Sequence, residues 1–157
     1  MRTDRSAAYN LLLKQVKEII SGEPDLIANL ANISSLIKMQ FGFLWVGWYF
    51  AKGKKLVLGP FQGEVACTRI PYGNGVCGTA WKEKKTLIVP DVHKFPGHIA
   101  CSAKSRSEIV VPVFDTNRNV RMVLDIDSRK KNDFDRKDKK FLEMIGLMIS
   151  LKYFHGR

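Results

Sequence analysis

A change of hydrophobic period along the chain most constrains what it can fold into. Apolar residues recur at helical spacing at both ends and at strand spacing between them. Over 5–21, Leu12, Val16, Ile19 and Ile20 share one stripe, which Gly22 and Pro24 end. A second stripe over 25–40 carries Leu26, Leu30, Ile33 and Ile37, and a third over 133–153 carries Phe141, Ile145 and Met148 or Ile149. Between them, β-branched and aromatic runs predict strands at 41–50, 56–58, 65–70, 87–89, 109–114 and 120–127. Turns are expected at 52–54, 59–63 and 115–117, a short helix over 76–83, and a long polar loop over 91–106. Helices at both ends around short strands define an α+β layout: a mostly antiparallel sheet with terminal helices packed on it. At 157 residues, 1–157 reads as one domain.

The chain carries a net charge of +11. Its lysines and arginines cluster at Lys52/Lys54/Lys55, Lys82/Lys84/Lys85, Arg129/Lys130/Lys131 and Arg136/Lys137/Lys139/Lys140. Because the clusters fall in separate turns with no nucleic-acid motif beside them, they read as solvated surfaces rather than a nucleic-acid interface. No apolar run is long enough to span a membrane. The charged first segment lacks the apolar core and cleavage site of a signal peptide, so a cytoplasmic, reducing location is the expectation. Three cysteines, an odd number, exclude a full set of internal structural disulfides.

Chemistry concentrates in three places. In the strand around Trp45-Val46-Gly47-Trp48-Tyr49-Phe50, alternate residues share a face. Val46, Trp48 and Phe50 suit the core. Trp45 and Tyr49 flank Gly47 on the other face, where the missing side chain leaves room for a small ligand or a neighbouring element. In Leu124-Asp125-Ile126-Asp127, the two carboxylates share one face, and Glu108 opens the preceding strand. If that face is buried, close like charges raise a carboxyl pKa, and such a group can protonate a developing oxyanion or hold an ammonium. If it is not, the pattern is a wet outer face.

The third place is the thiols. Cys77 follows Gly73-Asn74-Gly75-Val76 at an expected helix start, where a thiol pKa falls. Cys101 lies in Gly97-His98-Ile99-Ala100-Cys101-Ser102, near Lys104 and Arg106; Cys67 precedes Thr68-Arg69. Local chemistry does not rank Cys77 against Cys101 as a nucleophile. Intervals of nine and twenty-three residues, with no Cys-x-x-Cys, speak against a zinc site. A Cys–His hydrolase would draw on His93 or His98, although histidines in such polar loops are usually just solvated.

Leu58-Gly59-Pro60-Phe61-Gln62-Gly63, Gly75-Val76-Cys77-Gly78-Thr79-Ala80, Gly97-His98-Ile99-Ala100-Cys101, Ser107-Glu108-Ile109-Val110 and Leu124-Asp125-Ile126-Asp127-Ser128 occur in order after Trp45-x-Gly47-x-Tyr49. Together they resemble the free methionine-(R)-sulfoxide reductases, which are built on a GAF domain. The resemblance covers nearly the whole chain. It implies a GAF fold, with a central antiparallel sheet of about six strands, helices on one side and loops closing a pocket on the other. It implies reduction of free methionine-(R)-sulfoxide, with Cys101 attacking, Cys67 as resolving partner and Cys77 as a second candidate for that role. Trp45 and Tyr49 would border the substrate methyl; Glu108, Asp125 and Asp127 would hold its amino group and sulfoxide oxygen. A thioredoxin-type reductant is implied, with no metal or organic cofactor. A non-enzymatic GAF sensing module is the rival reading. Arg121-Met122 and Ser102 depart from the family pattern, which favours an apolar residue and glycine at the first and an acid at the second. The final helix carries extra apolar residues, Leu142, Met144, Leu147 and Leu151, so a homodimer is expected.

Overall fold

The computed structural model describes residues 3–156. Helix α1 spans Ser6–Gly22 and buries Tyr9, Leu12, Val16 and Ile20 along its stripe. Helix α2 spans Leu26–Phe41; the Asp25 carboxylate caps it by accepting the Ala28 N–H. Gly42 ends it in the left-handed conformation, at φ 67°. That ending takes Phe41 out of the expected strand and into the helix. Strand β1 therefore begins at Trp45 and runs Trp45–Lys52.

Strand β2, Lys55–Gln62, overturns the turn expected at 59–63. Tyr49 pairs with Leu58 and Gly47 with Phe61, so Gly59 and Pro60 together form a bulge opposite Trp48. A bulge accommodates the proline's missing N–H without ending the strand. Gly59 is needed there, because a Cβ would lie 2.5 Å from the Phe50 ring.

The remaining elements are β3 (Arg69–Pro71), α3 (Gly75–Glu83), β4 (Leu87–Val89), β5 (Ser107–Phe114), β6 (Val120–Ser128) and α4 (Arg136–Tyr153). The six strands form one antiparallel sheet in the order β3-β2-β1-β6-β5-β4. One face, with Val46, Trp48, Val111, Leu124 and Ile126, packs under α1, α2 and α4. Trp48 is fully buried there and donates its indole N–H to Ser34 Oγ at 3.0 Å. Phe50 packs against this core from a half-buried position. Met122 is fully buried in the same core and keeps register with Phe50 and Val113. The opposite face, with Trp45, Tyr49, Val110 and Val123, is covered by α3 and loops.

Arg5 and Tyr9 fasten α1 to the start of α4. Arg5 donates to Asp133 Oδ1 at 2.7 Å and Asp138 Oδ1 at 3.0 Å, and the Tyr9 hydroxyl donates to Asp138 Oδ1 at 2.7 Å. Asp138 also accepts the Asp135 N–H, completing a capping box for α4. Leu142, expected on a surplus face, is fully buried in the helix–sheet core. Met144, Leu147 and Leu151 remain exposed on α4. Among the described residues no helix is long and apolar enough to cross a membrane.

Candidate active site

Period-two alternation on three strands assembles the site. Across the β1–β6 ladder, Trp45 pairs with Asp127 and Gly47 with Asp125; across β5–β6, Glu108 pairs with Asp127. Trp45, Tyr49, Glu108, Asp125 and Asp127 therefore share the face away from the three long helices. It is not a wet face. Glu108 and Asp125 are each only 6% exposed, and Asp127 is half-buried.

Burial sets the protonation of this cluster. It is the first cause pushing the Glu108 carboxyl well above its usual range, and the charges of Asp125 and Asp127 add to it. Asp127 is pushed up by burial and then by Asp125, and Asp125 by burial. Among the described residues, Asp125 Oδ1 is buried with no hydrogen-bond partner.

Cys77, in the first turn of α3, reverses its expectation. A helix start lowers a thiol pKa, but here burial first, then Asp125 and Glu108, hold the thiol well above its usual value. Its Sγ donates to Glu108 Oε1 at 3.9 Å. Cys77, Glu108 and Asp125 bring ligand atoms within 4.8 Å of one another, from three separate elements that cysteine spacing cannot relate. Burial raises the pKa of all three groups, favouring their protonated forms, so the trio has protons to share.

The room expected over Gly47 is already filled. A Cβ there would lie 2.4 Å from the Trp45 ring and 2.5 Å from Phe61 Cβ. The glycine lets Trp45 fold across its own strand, stacked between Tyr49 and Phe61 with ring centroids 5.9 and 5.3 Å away. The polar ends of the two aromatics then hold the β2–β3 loop. Trp45 Nε1–H donates to the Glu64 carbonyl at 3.0 Å, and the Tyr49 hydroxyl donates to the Cys67 carbonyl at 2.9 Å.

The loop before β5 meets this one over the sheet. A disulfide joins Cys67 to Cys101, with Cα atoms 5.6 Å apart. Lys104 and Glu64 form an exposed ion pair between the same loops. Ser105 Oγ donates to Asp127 Oδ1 at 2.8 Å, tying the loop to the carboxyl cluster. Together these groups enclose a cavity of about 50 Å³.

Trp45, Tyr49, Cys77, Cys101, Glu108, Asp125 and Asp127 all line that cavity, and Cys67 reaches it through its bond to Cys101. His93 is exposed and lies 3.3 Å from an Arg106 guanidinium nitrogen, outside the cavity. His98, expected to be solvated, instead lines the cavity with its Nδ1 buried. Ser105 was not singled out by the sequence, because only the fold brings it to Asp127.

Residues 25–151 match the family model of the GAF domain, the class to which this sheet, its three helices behind and its loop-closed pocket in front belong. The chain is 56% identical over 138 residues to GAF domain-containing protein A of Dictyostelium discoideum, covering 87% of each. It is 44% identical over 147 residues to the free methionine-R-sulfoxide reductase of Saccharomyces cerevisiae, covering 88% of this chain and 82% of the relative. The X-ray structure of free methionine-R-sulfoxide reductase from Neisseria meningitidis in complex with its substrate aligns with a TM-score of 0.93 at 43% identity, covering 98% and 92% of the two chains. The chain belongs to the free methionine-R-sulfoxide reductase family of GAF-domain proteins.

Proposed function

We propose that this chain is an oxidoreductase that converts free methionine-(R)-sulfoxide to methionine through its own thiols. One observation carries the reading: the Cys67–Cys101 disulfide lies against a cavity that also holds buried carboxyl groups pushed toward their protonated forms. In the reduced protein, the Cys101 thiolate attacks the sulfoxide sulfur. The oxygen takes a proton from Glu108 or from the Asp125/Asp127 pair, and methionine departs, leaving a sulfenic acid on Cys101. The Cys67 thiol then attacks that sulfur and expels water, forming the disulfide. A thioredoxin-type dithiol reopens it and is itself oxidised to a disulfide. The electrons come from thiols throughout, so the route needs neither metal nor organic cofactor.

Cys77 is the weaker candidate for resolving partner, since its thiol is held protonated and buried. Trp45 and Tyr49 offer an aromatic wall for the substrate methyl, and the carboxyls suit its ammonium. Such a cycle suits the reducing cytoplasm. The exposed strip of Met144, Leu147 and Leu151 on α4 offers an apolar surface to a second copy, and light scattering at micromolar concentration tests that dimer. The activity is tested by methionine release from the free R-sulfoxide with dithiothreitol or thioredoxin. Turnover abolished in Cys101→Ser supports the reading. No turnover by folded protein, or full turnover in that variant, contradicts it.

A further inference from the structure

Ser105 stands four residues past Cys101, on the same loop. It is 3% exposed, yet it lines the cavity, and its Oγ donates to Asp127 Oδ1 at 2.8 Å. Among the described residues it is the one hydroxyl that donates to the carboxyl cluster. Glu108 Oε1 accepts only the Cys77 thiol, at 3.9 Å, and Asp125 Oδ1 has no partner. The loop does not need this hydroxyl for its path. The Arg106 N–H donates to the Ser128 carbonyl at 2.8 Å, and the Val92 N–H donates to the Arg106 carbonyl at 2.9 Å. Backbone bonds therefore fix the chain beside Ser105 to β6, and the Ser105 side chain serves the carboxyl it meets.

That bond has a different worth before and after proton transfer. Burial and the Asp125 charge favour the protonated form of Asp127. While Oδ1 accepts the Ser105 O–H, the carboxyl's own proton resides on Oδ2. When the proton leaves, the O–H electron pair stays on Asp127 and a carboxylate remains. A hydrogen bond to a charged acceptor is about twice as strong as one to a neutral acceptor. Ser105 then holds the product of proton transfer more tightly than the reactant, which speeds the chemical step without tightening substrate binding.

We propose that Ser105 is a positioning residue: its hydroxyl, donating to Asp127 Oδ1, keeps the Asp127 proton on Oδ2 and stabilises the carboxylate left when that proton moves to the sulfoxide oxygen. The inference rests on the reading of the Asp125/Asp127 pair as a proton source for the reaction.

Single-turnover methionine release by fully reduced protein, followed over a range of free methionine-(R)-sulfoxide concentrations, separates rate from binding. Ser105→Ala slows the maximal rate about tenfold and leaves the half-saturating concentration unchanged. Ser105→Thr, which keeps the hydroxyl, recovers most of the rate. A loss confined to binding overturns the proposal.

A second measurement needs no turnover. In oxidised protein, where Cys67 and Cys101 are joined, carbon-13 NMR of labelled aspartate carboxyls follows Asp127, whose resonance is the one missing in Asp127→Asn. The titratable groups facing Asp127 are Glu108 on β5, Asp125 on β6, Cys77 on α3 and Tyr49 on β1, and all are retained in the Ser105 variants. Loss of the donor favours the neutral acid, so Ser105→Ala moves the Asp127 midpoint upward by about one pH unit. A midpoint that stays in place or falls overturns the proposal. An upward shift in a protein whose wild type shows no turnover counts against the reductase reading alone and leaves the control of Asp127 by Ser105 standing.

Discussion

Replacing Glu108 with glutamine separates the stability of this site from its chemistry. Glu108 is 6% exposed, stands opposite Asp127 across β5–β6, and is raised well above an ordinary value of 4.5 by burial and its acidic neighbours. In the unfolded chain it titrates near that ordinary value. Below about pH 4.5 both states hold the proton. Above it, the unfolded state releases the proton while the folded state keeps it. The folded state then binds more protons, so its stability falls with rising pH by about 1.4 kcal/mol per pH unit for each proton retained. The fall continues until folded Glu108 itself titrates. Glu108→Gln keeps the shape and has no proton to retain, so it lacks this slope.

Between about pH 5 and about pH 6, the stability difference should therefore move in favour of the variant by about 1.4 kcal/mol. Urea unfolding followed by tryptophan fluorescence at each pH measures it. Where Glu108 rather than the Asp125/Asp127 pair is the donor, the same variant loses turnover, because an amide cannot deliver the proton the departing oxygen needs. Parallel stability-against-pH curves for the two proteins would refute the reasoning: Glu108 would then already be ionised in the folded protein and could not be the proton donor.

Three further perturbations follow from the packing. Gly47→Ala places a methyl 2.4 Å from the Trp45 ring and 2.5 Å from Phe61 Cβ. It should cost about 1–3 kcal/mol in thermal melts and raise KM for the sulfoxide, as Trp45 loses its hold on the Glu64 carbonyl. Asp138→Ala removes the shared acceptor of Arg5 and Tyr9 and should cost about 3 kcal/mol in urea unfolding; a loss under about 1 kcal/mol would contradict that role. Reducing the Cys67–Cys101 bond, which closes a segment of sequence separation 34, should lower stability by about 4 kcal/mol; equal melts of oxidised and reduced protein would contradict it.

The architecture was largely legible because periodicity is a local property. The stripes of α1, α2 and α4 and the runs of β1, β5 and β6 fall close to where their spacing predicts. The misses come from tertiary context. Gly59 and Pro60 carry turn chemistry, yet pairing with β1 absorbs them as a bulge. Leu142 joins the core because α4 presents a wider buried stripe than the spacing of Phe141, Ile145 and Ile149 implies. Gly47 makes room for its neighbour's ring, a choice that spacing alone cannot reveal.

For the site, strand alternation puts Trp45 with Tyr49 on one face of β1 and Asp125 with Asp127 on one face of β6; that the two faces coincide is fixed only by the β1–β6 register. Depth was not legible. Whether that face was wet or sealed depended on α3 and two loops, and depth decides the state of every carboxyl there. The same burial reverses the local logic of Cys77, whose helix-start setting is outweighed by desolvation and acidic neighbours. The burial of His98 Nδ1 was not legible either: the sequence offered His98 only as one of two loop histidines, and its depth depends on how that loop packs over Gly75.

A peptide map after a single turnover reads out the Cys101–Cys67 redox cycle itself. Fully reduced protein is mixed with one equivalent of free methionine-(R)-sulfoxide, quenched, alkylated under denaturing conditions and digested. The expected products are one methionine per chain, a Cys67–Cys101 cross-linked peptide, and Cys77 recovered as the alkylated thiol. Methionine release with Cys77 in the cross-link, or with no cross-link and all three cysteines alkylated, would contradict it.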